Sequence, residues 1–140
     1  MREARSGEVR FAKLTRGMLS IMIDGLDFVG IPSQDAERAR AFYVDTLGLR
    51  PDDHSSAEVW AGGTCFGIWE PAKFGMEFEP QRNAHPALHV EDVAAARADL
   101  EAKGVEFFGE TLDTGVCHMA FFRDADGNDL MLHHRYAPRS

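Results

Sequence analysis

Three histidines, His85, His89 and His133, are the residues of this 140-residue chain best suited to chemistry. An imidazole near neutral pH can move a proton beside a carbonyl, as in isomerisation or cyclisation. Three imidazoles on one concave face would also suit a zinc or iron ion. By strand periodicity His85, Ala87 and His89 share one face, and Pro86, Leu88 and Val90 take the other. Two histidines on one face say more than one, because a single buried histidine is usually a hydrogen-bonded core residue. In the run GVCHMAFF, Cys117 and His118 are strand neighbours that point to opposite sides. They cannot act on each other as nucleophile and base. Cys117 reads first as a small core residue and second as a lining group. His133 and His134 split across their strand in the same way.

The elements that must position these residues come from an internal repeat. The segment FVGIPSQDAERAR, starting at Phe28, aligns with HPALHVEDVAAAR, starting at His85. Asp35 then falls on Asp92, Ala39 on Ala96 and Arg40 on Arg97. The ends also correspond: GTCFGIWE from Gly63 meets GNDLMLHH from Gly127. Asp35 and Asp92 read as N-caps, with helices predicted over Ala36 to Leu47 and Val93 to Lys103. Gly48 and Gly104 stand where a left-handed residue ends each helix. Three short strands follow each helix. They are placed near Arg50–Asp53, Ala57–Ala61 and Thr64–Trp69, then Glu106–Phe108, Cys117–Phe122 and Asp129–His133. The stretch from Asp124 to Asn128 is hairpin-turn chemistry, in which Arg123 and Asp124 fix the hairpin. The expected fold class is α+β, with two tandem βαβββ units forming curved mixed sheets around a pocket. The expected boundaries are a 1–22 extension, a first unit over 23–70, a linker over 71–84 and a second unit over 85–136.

The stretches LDFVGIPSQDAERARAFYVDTLGL, HPALHVEDVAAARADLEAKGVEF and FFRDADGNDLMLH resemble the vicinal oxygen chelate superfamily. That group includes glyoxalase I, bleomycin-resistance proteins, fosfomycin-resistance enzymes and extradiol dioxygenases. The resemblance implies a cavity enclosed by paired sheets, a homodimer, and four metal-ligand positions, two per unit. Those positions fall here on Phe28, Gly67, His85 and Met131, with Trp69 the alternative to Gly67 if the register slips. Only His85 can ligate well, because a thioether is a poor donor for hard divalent ions. The usual metal is therefore expected to be absent. Glu70, His89 and His133 are the weaker metal candidates, and strand parity turns Glu70 away from the pocket. The resemblance implies ligand contacts from Phe28, Gly67 and Trp69 in the first unit. From the second unit it implies His85, His89, Cys117, Met119, Met131 and His133.

Composition narrows the classes. A net charge of −8 argues against nucleic acid and against anionic membrane as partners. Two cysteines outside any CxxC pair suit reduced thiols and a cytoplasmic protein. The first residues lack the apolar run of a signal peptide, and no apolar run reaches membrane length. The carboxylates Asp52, Asp53, Glu77 and Glu79 read as solvated. Three functions stay open. One is a metal-free binder of a hydrophobic or aromatic small molecule, such as a natural product or antibiotic. The second is an enzyme (lyase, isomerase, cyclase or dioxygenase type) using His85, His89 and His133 as acid–base groups or as an altered metal site. The third is an interaction domain.

Overall fold

The computed structural model describes residues 22–139, so most of the expected 1–22 extension lies outside the described residues. In chain order the elements are β1 (Val29–Pro32), α1 (Ala36–Ala41), a π-helical turn (Phe42–Thr46), β2 (Arg50–Pro51), β3 (Glu58–Ala61) and β4 (Thr64–Trp69). A 3-10 turn (Pro71–Phe74) opens the linker. The second unit has β5 (Ala87–His89), α2 (Val93–Ala102), β6 (Phe107–Asp113), β7 (Cys117–Arg123) and β8 (Asp129–Arg135). The strand orders are β1-β4-β3-β2 and β5-β8-β7-β6, so the two sheets share one topology. Each has one parallel pair, β1 with β4 and β5 with β8, and its other pairs are antiparallel. The tandem βαβββ architecture is therefore present, as two four-stranded mixed sheets that do not close. Among the described residues no helix is long and apolar enough to cross a membrane.

The caps behave as their chemistry requires. The Asp35 carboxylate accepts from the Arg38 N–H at 3.1 Å, and that of Asp92 accepts from the Ala95 N–H at 3.0 Å. Glu70 adds a second acceptor at the start of α1, taking the Ala36 N–H at 2.7 Å. That bond, with Lys73 beside it, holds the Glu70 carboxyl below its ordinary range. The first helix differs from the uniform one predicted. After Ala41 it widens into a π turn, with Leu47 N–H donating to the Phe42 carbonyl. Strand β6 runs five residues past its predicted end. Gly109, at φ 71°, permits a register shift between Phe108 and Leu112, so pairing with β7 resumes beyond it.

One apolar core joins both units, built from Ile31, Tyr43, Val59, Phe66 and Ile68 with Val93, Leu100, Ala120, Phe122, Leu130 and Leu132. Strand periodicity puts alternate residues there and leaves the other face of each sheet open. A polar clamp crosses this core. Tyr43, 0% exposed, donates its hydroxyl to Asp124 Oδ2 at 2.6 Å. Asp124 Oδ1 accepts the N–H groups of Asp126 and Asn128, each at 2.9 Å. The Asn128 amide reaches back to the Pro32 carbonyl at 2.9 Å, and Asp126 Oδ1 takes the Gln34 N–H and the Arg38 guanidinium. Asp124 therefore fixes its own hairpin, as the turn chemistry suggests, and holds the π turn through Tyr43, while Asn128 and Asp126 tie the second unit to β1 and α1.

Candidate functional site

The open face of the first sheet is built around two glycines. Gly30 on β1 and Gly67 on β4 are direct partners in the parallel ladder. Their neighbours Val29, Ile31, Phe66 and Ile68 pack in or against the core, so the glycines face the opposite side. A Cβ on Gly67 would lie 3.0 Å from Phe28 Cδ1, and one on Gly30 would lie 3.6 Å from Trp69 Nε1. The two aromatic rings thus rest where side chains would otherwise stand. Glu58 on β3 is the antiparallel partner of Gly67 and alternates with buried Val59, which puts it on the open face too. Phe28, Ala57, Glu58, Gly67, Ile68 and Trp69 bound a cavity of about 340 Å³ there. Phe28 remains 53% exposed, and Phe74 approaches Trp69 at 6.1 Å between ring centres.

Further out on this sheet, Asp52 is more than a solvated carboxylate. It accepts the Trp60 indole N–H at 2.8 Å and the N–H groups of His54 and Ser55 at 2.9 Å. The indole bond leads these in holding its pKa down at about 2. Arg50 lies over the Trp60 ring at 5.5 Å.

The second sheet's open face carries most of the other expected residues. Register aligns Ala87, Met131 and Phe121 in one row and His89, His133 and Met119 in the next. Cys117 pairs with Arg135 further along and is buried. His85 precedes β5 and sets Nε2 3.6 Å from Asp129 Oδ2, with its ring edge-on to Phe121 at 5.2 Å. Asp129 also takes the Asn83 N–H at 2.9 Å and Arg123 Nε at 3.0 Å. Burial resists ionisation of Asp129. The Asn83 bond, Arg123 and His85 outweigh that resistance and hold the carboxyl below its ordinary range.

His89 and His133 are partners in the β5–β8 ladder, and His85 precedes β5. His85 stays with Asp129, while the His89 ring stands 5.7 Å from His134 and 3.6 Å from the exposed Glu91 carboxylate. Among the described residues no group of three His, Cys, Asp or Glu is arranged to hold a metal. The four positions that the fold implies for a divalent ion do not fit one either. Two are occupied by a phenyl ring lying on a glycine, and a third by a thioether, so His85 is left as the single good donor. Glu70 is engaged at the start of α1, on the side that strand parity predicts.

The cleft between the units is where a ligand is expected, but it is lined by other residues than the ones expected to touch it. It holds about 780 Å³ and is lined by Val29, Leu47, Leu49 and Phe66 on one side and by Leu88, Val90, Leu100 and Leu132 on the other. These are core-side positions. Of the nine residues expected to contact a ligand, only His89 lines this cleft. Phe28, Gly67 and Trp69 gather instead at the open face of the first sheet. Glu58 and Asp129 are the site residues that sequence reasoning missed. Each becomes visible once register is known, Glu58 as the partner of Gly67 and Asp129 as the first residue of β8.

The model of the glyoxalase/bleomycin resistance protein/dioxygenase superfamily matches residues 25–132. No curated protein sequence matches the chain. Among solved structures, a member of that superfamily from Sphaerobacter thermophilus DSM 20745 is similar at 24% identity and TM-score 0.67, covering 81% of this chain and 98% of its own. TnmS3, an antibiotic binding protein from Streptomyces sp. CB03234, is similar at 25% identity and TM-score 0.64, covering 82% and 98%. A superfamily protein from Nocardioides is 15% identical with TM-score 0.68, covering 96% and 99%.

Proposed function

Since the chain belongs to the glyoxalase/bleomycin resistance protein/dioxygenase superfamily, we propose that it binds a hydrophobic, aromatic small molecule on the open face of its first sheet, without a metal at the four usual positions. The observation that carries this reading is the Gly30–Gly67 pair. It lets Phe28 and Trp69 lie down on the sheet and form an aromatic trough, rather than project as separate side chains. Two ring faces beside one half-buried carboxylate match the usual make-up of a small-molecule site, apolar walls with a few polar groups. The likeness to TnmS3, an antibiotic binding protein, supports a small-molecule ligand. The two open faces expose Phe28, Phe108 and Leu112, and a second copy of the chain covers them in this reading. The protein is then a cytoplasmic homodimer with reduced thiols.

Isothermal titration with acridine, a neutral planar aromatic, tests the reading. Saturable binding that Trp69→Ala abolishes is the expected result. No heat of binding from the wild-type protein, or unchanged binding by the variant, would refute it. Elemental analysis of untagged protein checks the metal, with stoichiometric zinc or iron lost on His85→Ala as the contrary outcome.

A second reading is proton-transfer catalysis, favoured by one observation. Asp129, with a side chain only 9% exposed, stands behind His85 as an orienting carboxylate would. Under that reading a bound carbonyl ligand exchanges its α-protons with D2O, and His85→Ala ends the exchange.

A further inference from the structure

We propose that Glu58 makes the aromatic trough selective for planar aromatic cations over neutral ligands of the same shape; this rests on the trough being the binding site. The carboxylate belongs to the wall of the cavity that Phe28 and Trp69 bound. Its position is fixed by the β3–β4 ladder, in which it pairs with Gly67 directly beneath the Phe28 ring. Among the described residues Glu58 has no cationic partner within 4.0 Å. Three other carboxylates that are at least partly buried do have cationic partners: Asp129 with Arg123 and Arg82, Asp126 with Arg38, and Glu70 with Lys73. Arg50, which projects from the same sheet, is occupied over the Trp60 ring.

Burial pushes the Cys65 thiol up, and the charges of Glu58 and Asp52 push it further. A cation placed over the trough meets the negative faces of two rings and an unneutralised carboxylate at once. Each is favourable, and both are stronger where water is partly excluded. A neutral ring gains the stacking alone. A ligand with a carboxylate is repelled, in keeping with the chain's net charge of −8.

The test compares two probes of one shape, N-methylacridinium and acridine, at mildly alkaline pH where acridine is neutral. Binding is followed by quenching of tryptophan fluorescence in the full chain. The wild-type protein is expected to bind the cation about tenfold more tightly. High salt narrows the gap, and Glu58→Gln removes it. Glu58→Lys reverses the order, so that acridine-9-carboxylate becomes the better probe. Equal affinities in the wild-type protein, or a preference that survives Glu58→Gln, overturn the selectivity and leave the aromatic trough standing. If neither probe binds, the trough itself fails and the selectivity fails with it.

Discussion

Tyr43→Phe removes one oxygen from the centre of the protein and should cost about 1.5–2 kcal/mol of stability. The hydroxyl makes a 2.6 Å bond to an Asp124 carboxylate with which it is buried. Hydrogen bonds to charged groups contribute about 1.5–3 kcal/mol, roughly twice the neutral value. The lower part of that range applies because Asp124 keeps the N–H groups of Asp126 and Asn128 and the Asn128 amide. In a domain of this size the loss lowers Tm by roughly 5–10 °C. Urea unfolding followed by circular dichroism measures it, with an unchanged m-value showing that the end states are the same. Asp124→Ala should cost more, about 3–5 kcal/mol, since it strands the hydroxyl and three N–H donors together. The pH dependence gives a second readout. Burial, and then the Asp124 charge, raises the Tyr43 pKa above its usual value near 10. The unfolded chain therefore releases this proton before the folded protein does. Stability falls as pH rises above about 10, and Tyr43→Phe flattens that fall. A Tyr43→Phe loss below about 0.5 kcal/mol, with the alkaline slope unchanged, would refute the clamp as a source of stability.

Two further outcomes follow from the open face of the first sheet. Gly67→Val places a Cβ 3.0 Å from Phe28 Cδ1 and a branched side chain in the trough. It should weaken acridine binding more than about tenfold with the far-ultraviolet dichroism intact, and an unchanged Kd would show that the ligand sits elsewhere. Asp52 titrates at about 2, so the stability it confers is present above the unfolded value near 4 and is lost as pH falls toward 2. The Trp60 indole N–H resonance should shift with a midpoint near 2, and a midpoint near 4 would mean that the bond is absent from solution.

Local chemistry made the architecture legible. Asp35, Asp92, Gly48 and Gly104 occupy the cap and stop positions their side chains suit, and Gly48 and Gly104 have positive φ. Strand β4 lies where its alternation predicts, while α1 and β6 depart where a π turn and a glycine bulge intervene. Glu70 obeys strand parity. The site was harder to read, because parity tells which residues share a face and not which faces meet. His89 and His133 are ladder partners, while His85 precedes that strand and lies beside Asp129. Phe28, Gly67 and Trp69 were readable as lining residues, but Gly30 and Glu58 gain meaning only from cross-strand register. Tyr43 lies in the helical segment that Asp35 caps. Its partner lies 81 residues away, and no local pattern signals it.

That separation has a consequence for how the chain reaches its fold. The first unit's strands and helix are all encoded before residue 70, so they can pair while the rest of the chain is still being synthesised. The Tyr43 hydroxyl cannot meet Asp124 until the second unit has emerged and closed its β7–β8 hairpin. Closing so long a loop carries an entropic cost, so the clamp forms only when the two units come together. Tyr43→Phe shifts the folding and unfolding rates in proportion to how much of the bond is present at the folding barrier. Until the units meet, the Tyr43 hydroxyl is left to water, and the clamp then fastens one unit to the other.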